Sequence, residues 1–330
     1  MMMKKKILIA DRFSQESFLY LQSQPWADVV RADSPSHLPL EQVISCHALL
    51  IRSRTIIDEK FLAKARNLQV IITGTSGFDH IDLEATQKWG ITVMHTPAAN
   101  IESAAQLTWS LVLACSVQLL KAHRMVKSGE WDRHQLPAFE LCQGHYGVVG
   151  LGRIGKRVAQ IAQAFGMQVM AFDPYVDDEV FSQMKIERVG YEEILKKSDV
   201  LSFHVPKTLE TERMLTRSHF DFLNPKLILV NTSRGTVIHE GDLCEAIEKN
   251  HLKAVGLDVY EKEPLSRHSK LLRYPNVVLT PHIGANTEEA FYKASKVAAT
   301  KLVQFFADGG TSDTLPPRVP WYGATPFKSE

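Results

Sequence analysis

Short apolar runs alternate with segments of helical periodicity along most of the 330-residue chain, and that alternation leaves few folds open. A first series of runs covers residues 6–10, 48–52, 68–73 and 91–95. Helix-period segments lie between them, at 14–21, 40–45, 58–66 and 82–89. Strands separated by helices of about ten residues need right-handed crossovers and pair in parallel. A second series, more sharply marked, covers 146–150, 168–173, 200–204, 227–231, 254–258 and 277–281. Near-continuous apolar strands suit a sheet covered on both faces. The chain reads as α/β, with two parallel sheets in separate domains.

Between the two series a single long helix is predicted from Asn100, a plausible N-cap, to about Lys127, with Gly129 closing it. It reads as a bridge between domains or as part of a subunit interface. Its stretch 104–120 is the longest apolar one, yet it carries Gln106, Thr108, Ser110, Ser116 and Gln118. A bilayer span needs about 20 mostly apolar residues, so a buried helix is the better reading. The N-terminal apolar run is stopped by Asp11 and Arg12, short of a signal peptide. A last helix is expected over 287–306, returning to the first domain. The tail from Gly309 holds Pro316, Pro317, Pro320 and Pro326 and is assigned no regular structure. Trp321 and Tyr322 within it are candidates for docking on a neighbouring surface.

Composition narrows the function classes. The chain is 45% hydrophobic and 23% charged, which excludes a disordered chain. Lys and Arg total 38 against 37 Asp and Glu, so there is no basic excess for nucleic acid. Cys46, Cys115, Cys142 and Cys244 lack CxxC spacing and are too few for a disulfide framework. The expectation is a cytoplasmic protein with no metal site, no nucleic-acid partner and no membrane partner.

Gly150-Leu-Gly152-Arg-Ile-Gly155 follows an apolar strand and opens a helix predicted over 156–165. In that context a G-x-G-x-x-G predicts a dinucleotide site. Gly150 supplies a tight turn, Gly152 has no Cβ to block a pyrophosphate, and Gly155 lets helix and strand approach. The helix N-terminus offers free N–H groups to the anion. Asp173, at the end of the next strand, can accept both ribose hydroxyls and repels a 2′-phosphate, which favours NAD over NADP.

Ligands of doubly wound sheets bind outside the carboxyl ends of the strands. Those ends carry Asp173, then His204-Val205-Pro206, Asn231-Thr232-Ser233-Arg234, Asp258 with Glu261 and Glu263 behind it, and Pro281-His282. Arginine, carboxylate and histidine on one rim are the equipment for reducing a 2-keto acid. Arg234 would take the carboxylate in a bidentate grip, and His282 would protonate the carbonyl oxygen. A carboxylate on the far ring nitrogen would orient the imidazole and raise its pKa. Position on the rim does not choose between Glu261 and Glu263.

These motifs resemble the D-isomer-specific 2-hydroxyacid dehydrogenases over roughly residues 6 to 305: Gly150–Gly155 with Asp173-Pro174, Asn231-Thr-Ser-Arg-Gly235, Gly256-Leu-Asp-Val-Tyr-Glu-Lys-Glu-Pro264 and Pro281-His-Ile-Gly284. The resemblance implies a flavodoxin-like substrate domain, 1–101 and 287–330, with a Rossmann NAD-binding domain inserted at 102–286. It implies homodimers joined through the long helix. It points to Arg234, Glu263 and His282 as catalytic. It points to Gly150, Gly152, Arg153, Ile154, Gly155, Asp173, Val205, Pro206, Thr232, Ser233, Asp258 and Gly284 as the cofactor site, with Asp258 toward the nicotinamide amide. The loop Thr75-Ser76-Gly77-Phe78-Asp79 matches the family's carboxylate loop, so Ser76 and Gly77 are expected to offer N–H groups. The segments Ile51-Arg-Ser-Arg-Thr55 and Thr96-Pro-Ala-Ala-Asn100 look most like phosphoglycerate dehydrogenases, without the regulatory domain of longer members. Arg52 then becomes a candidate for a substrate phosphate. His95 stands where asparagine is common, and His145-Tyr146 where a Lys-Thr pair is usual. Glyoxylate/hydroxypyruvate reductases share the machinery, and corepressors resembling the family use the fold as NAD-sensing binding proteins.

Overall fold

The computed structural model describes residues 4–33 and 38–322; residues 1–3 and Pro326 of the tail lie outside them. The chain divides into two units, one from Met1–Asn100 with Asn286–Tyr322, the other Ile101–Ala285.

The first unit holds β1 (Lys5–Ile9), β2 (Ala27–Arg31), β3 (Ala48–Ile51), β4 (Val70–Thr73) and β5 (Thr92–His95), all parallel, in the order β5-β4-β3-β1-β2. That is the flavodoxin-like order, with its switch point between β1 and β3. β3 and β4 are wholly buried, as their near-continuous apolar runs require. Local chemistry starts the helices: Ser14, Asp58 and Asp82 accept from the N–H of Ser17, Phe61 and Ala85 and cap the helices Gln15–Gln22, Glu59–Leu62 and Leu83–Lys88.

The second unit holds β6 (His145–Val149), β7 (Gln168–Phe172), β8 (Glu187–Arg188), β9 (Val200–Phe203), β10 (Ile228–Asn231), β11 (Ala254–Leu257) and β12 (Val277–Leu279). They pair in parallel in the Rossmann order β12-β11-β10-β9-β6-β7-β8. The register brings the strand ends level with one another. Val149 lies opposite Phe172 and Phe203, Phe203 opposite Asn231, Asn231 opposite Leu257, and Leu257 opposite Leu279. Gly150, Asp173, His204, Thr232, Asp258 and Thr280 therefore leave the sheet in one row.

Three expectations need correction. The helix from Asn100 to Lys127 is two helices, Ile101–Ser116 and Leu119–Lys127, bent by 62°. Gln118 stands at the break with φ +50°, a left-handed conformation that no α-helix continues through. Among the described residues no single helix is long and apolar enough to cross a membrane. The helix after the glycine motif starts at Arg153, not Lys156, because the turn at Gly150 leads straight into it. The tail is not without structure: the helix Glu288–Asp308 belongs to the first unit, and behind it β13 (Thr314–Leu315) adds to β5 antiparallel. Tyr322 lies 6.4 Å from the ring of Phe78.

Candidate active site

The row of strand ends in the second unit carries the chemistry. Gly150 has φ +92°, and a Cβ there would come within 2.7 Å of the His204 carbonyl oxygen. A Cβ on Gly155 would lie 2.0 Å from the Gly150 carbonyl oxygen. At Gly152 a Cβ would meet nothing within 4 Å, so the space over the first turn of Arg153–Ala164 is open. Arg153 and Ile154 begin that turn, whose N–H groups have no intrahelical acceptor. A diphosphate fits this cradle. Asp173 follows β7 and steadies the loop: its Oδ2 accepts from Leu151 N (2.8 Å) and its Oδ1 from Tyr175 N (2.9 Å). We expect Gly155→Ala to destabilise the fold by about 1–3 kcal/mol through overpacking and to weaken NADH binding. Thermal unfolding and a fluorescence titration with NADH measure both.

Two histidines stand on the rim, and their surroundings separate them. His204 Nε2 shares a hydrogen bond with Ser202 Oγ (2.8 Å), and burial pushes its imidazole down to about 3. His282 takes the opposite course. Its Nδ1 donates to Glu263 Oε2 at 2.7 Å. That hydrogen bond and the Glu263 charge raise the imidazole above the ordinary histidine value, while burial and Arg234 work against the rise. Burial alone would raise the Glu263 carboxyl, but the His282 contact outweighs it and holds the carboxyl below the usual range. Glu263 Oε1 also accepts from Tyr260 N (3.2 Å). The N–H of Glu261 donates to Glu240 Oε1 instead, and no hydrogen bond links Glu261 to His282 among the described residues. The geometry thus separates the two glutamates that sequence position left equal.

Asp258 explains why His282 can sit there. Its carboxylate is wholly buried, and it accepts from Thr280 Oγ1 (2.6 Å), Ile283 N (2.8 Å) and Gly284 N (2.9 Å). Its backbone carbonyl takes His282 N (2.9 Å). These bonds hold His282 at φ +53°, a conformation that costs a non-glycine residue of order 1 kcal/mol or more. The Gly284 N–H is spent on Asp258. After β10, Asn231 accepts from Ser233 N and Oγ and donates to the Arg234 carbonyl (2.8 Å). Thr232 Oγ1 meets Thr108 Oγ1 at 2.8 Å, and Val205 and Pro206 follow β9, half-buried. Gly235 can only be glycine, since a Cβ would lie 1.9 Å from the Tyr260 carbonyl carbon.

Arg52, Ser76 and Gly77 belong to the first unit, at the ends of β3 and β4. Arg52 N donates to Asp11 Oδ2 (2.9 Å), and its guanidinium lies 5.5 Å from the centre of the Phe291 ring. Burial lowers its pKa, with Asp11 opposing and Arg12 adding to the shift. Among the described residues, buried Arg52 Nη1 meets no acceptor. Arg12 stacks on the same ring at 5.0 Å. Sequence reasoning passed over Arg12. The signal was available, because β1 and β3 flank the switch point of this strand order.

Residues 109–284, more than half of the chain, match the model of the NAD binding domain of D-isomer specific 2-hydroxyacid dehydrogenases. The chain belongs to that family. It is 36% identical over 298 residues to a D-3-phosphoglycerate dehydrogenase of Archaeoglobus fulgidus, covering 90% of this chain and 56% of that one. The chain thus spans about half the length of the curated relatives it matches. Among solved structures, the TT0316 protein of Thermus thermophilus superposes with a TM-score of 0.85 at 31% identity, covering 94% of this chain and 99% of that one. The D-lactate dehydrogenase of Aquifex aeolicus, complexed with NAD and lactic acid, does so at 0.82 and 28%, covering 93% and 100%.

Proposed function

We propose that this family member is an NAD-dependent D-2-hydroxyacid dehydrogenase acting reversibly on a small 2-keto acid, in the direction of 3-phosphohydroxypyruvate and 3-phosphoglycerate. The observation that carries the reading is the 2.7 Å contact between His282 Nδ1 and Glu263, on the rim that also bears Arg234. Gly150, Gly152, the turn at Arg153-Ile154, Gly155 and Asp173 would hold the dinucleotide, with Val205, Pro206, Thr232, Ser233, Asp258 and Gly284 around it. A bound nicotinamide supplies hydride exchange with the substrate carbon. Arg234 grips the substrate carboxylate, and His282 Nε2 gives its proton to the carbonyl oxygen or takes it back from the hydroxyl. Glu263 keeps Nδ1 protonated, so that Nε2 is the atom that titrates. Asp258 fixes the loop that carries the imidazole. Ser76 and Gly77 contribute N–H groups to the carboxylate end, and Arg52 takes a phosphate at the far end.

We further propose a cytoplasmic homodimer. The second helix of the bent pair leaves Leu119, Leu120 and Val126 exposed, and Trp131 just beyond it is 85% exposed; apolar side chains of this kind are what a subunit interface would cover. The four cysteines are free thiols, three of them buried, as suits a reducing compartment.

Substrate choice is tested by steady-state reduction of 3-phosphohydroxypyruvate, hydroxypyruvate and glyoxylate with NADH. The proposal expects a strong preference for the phosphorylated acid and loss of that preference in Arg52→Ala, since each charge-assisted bond to phosphate is worth about 1.5–3 kcal/mol. Equal turnover of hydroxypyruvate or glyoxylate, untouched by the substitution, assigns the protein as a glyoxylate/hydroxypyruvate reductase. Slow turnover of every keto acid alongside tight NADH binding favours a sensor.

A further inference from the structure

His95 ends β5. Its ring sits beside the loop that follows β4, in the same unit. His95 Nδ1 lies 2.8 Å from the Ser76 carbonyl oxygen. A carbonyl only accepts, so Nδ1 carries the proton and donates. The next residue repeats the pattern one peptide earlier: Thr96 N donates to the Thr75 carbonyl at 3.0 Å. In a planar trans peptide the C=O and the following N–H point in opposite directions. Tying down the carbonyls of Thr75 and Ser76 therefore turns the N–H groups of Ser76 and Gly77 away from β5. Among the described residues neither N–H meets an acceptor. Thr75 Oγ1 closes the loop by donating to the Gly77 carbonyl (2.7 Å).

His95 is itself held on several sides. Its backbone N–H donates to the Asp313 carbonyl (3.2 Å), beside β13. Its carbonyl accepts from Lys301 Nζ at 2.6 Å. Lys301 is buried, and its remaining donors go to Ser312 O (3.1 Å) and Asp313 Oδ2 (2.7 Å). The ring of Phe78 meets the imidazole edge-on at 5.8 Å. A buried ammonium with all its donors used gives no freedom to the strand end it clamps.

We propose that His95 is the positioning residue of the carboxylate-binding loop: by holding the Ser76 carbonyl it presents the Gly77 N–H, and with Thr96 the Ser76 N–H, as a preformed pair of donors for the carboxylate of a 2-keto acid. A hydrogen bond at a carbonyl also polarises the amide behind it, which makes its N–H a stronger donor to an anion. The inference rests on the dehydrogenase reading and on Ser76-Gly77 as its carboxylate loop.

The test uses the full chain saturated with NADH and oxamate as a non-reacting keto-acid analogue, with binding read from NADH fluorescence. His95→Ala is expected to raise the Kd for oxamate roughly ten- to thirtyfold, the loss of one aimed, charge-assisted donor, and to leave the Kd for NADH unchanged. His95→Asn, whose carboxamide N–H can serve the same carbonyl, is expected to bind oxamate within about threefold of wild type. His95→Leu keeps the bulk without the donor and repeats the measurement if the alanine variant does not fold. A lower Tm with an unchanged oxamate Kd overturns the inference and leaves His95 a packing residue. A wild type that binds NADH but not oxamate overturns the loop's assignment, and this inference with it.

Discussion

His282→Ala should lower kcat for keto-acid reduction by about 10²–10⁴, the usual range for a lost general acid, while NADH still binds. The pH dependence gives the sharper test, because each neighbour of His282 has its own sign. Reduction needs the imidazolium, so its kcat/KM should be full at low pH and fall as pH rises through the His282 pKa. Oxidation of the hydroxy acid needs the neutral ring and should rise over the same interval. Glu263 raises that pKa through the 2.7 Å bond and its charge, whereas Arg234 lowers it. Glu263→Gln should therefore shift both profiles to lower pH, and Arg234→Ala should shift them to higher pH. The arginine variant should in addition lose most of its keto-acid affinity, since it leaves the substrate carboxylate without its cation. Identical profiles in wild type and Glu263→Gln would falsify the pairing.

NADH should be preferred over NADPH by at least roughly a hundredfold in kcat/KM, on the order of 3 kcal/mol. Asp173 stands at the strand end where the adenosine ribose of a dinucleotide lies in this fold. Each of its oxygens accepts one backbone N–H and keeps a lone pair for a ribose hydroxyl. A 2′-phosphate would meet that carboxylate as a like charge. Tyr175 brings a second carboxylate to the same end: its hydroxyl donates to Glu210 Oε2 at 2.6 Å, and the two acidic neighbours with partial burial push the phenol up to about 12. Arg188, whose Nη2 donates to the Asp173 carbonyl at 3.2 Å, is paired with Asp178. Asp173→Ala should narrow the preference, mainly through a higher KM for NADH, and should loosen the glycine loop by freeing the Leu151 N–H. Equal kcat/KM for the two cofactors in wild type would sink this reading.

What the sequence made legible was whatever depends on local pattern. The buried strands β3, β4, β9, β10 and β11 are near-continuous apolar runs because both their faces are covered, so they stand out in any window. The glycine motif is legible because its three glycines keep a fixed spacing between an apolar strand and a helix. Three of the four edge strands were missed for the converse reason. β2 is Ala27-Asp-Val-Val-Arg31, mostly exposed beyond Ala27, and β8 is a Glu187-Arg188 pair placed by backbone pairing alone. β13 exists only because β5 offers it an edge. The break at Gln118 carries no proline or glycine to announce it. Among the functional groups, Glu263 and Glu261 differ only in which one reaches His282 across 19 residues of chain. Arg12 and His95 likewise gain meaning from neighbours distant in sequence, Phe291 of the last helix in one case and Ser76 of the loop after β4 in the other.

The two units also differ in when they can be completed during synthesis. The core of the first unit packs Ile7, Ile9, Leu50, Val70, Ile72 and Met94 against Ala298, Ala299 and Leu302. The second unit is one uninterrupted stretch, Ile101–Ala285, with its own two apolar clusters. As the ribosome delivers the chain, the opening hundred residues emerge with one face of their sheet only partly covered, by the helix Gln15–Gln22, and the helix that completes the cover arrives almost two hundred residues later. The middle of the chain can reach its native packing first, reversing the usual N-terminal-first order. Until then the nascent first sheet exposes the kind of aliphatic surface that chaperones hold. Long-range closure of this kind slows folding through its loop entropy, so the step most open to aggregation belongs to the beginning of the chain while it waits for its end.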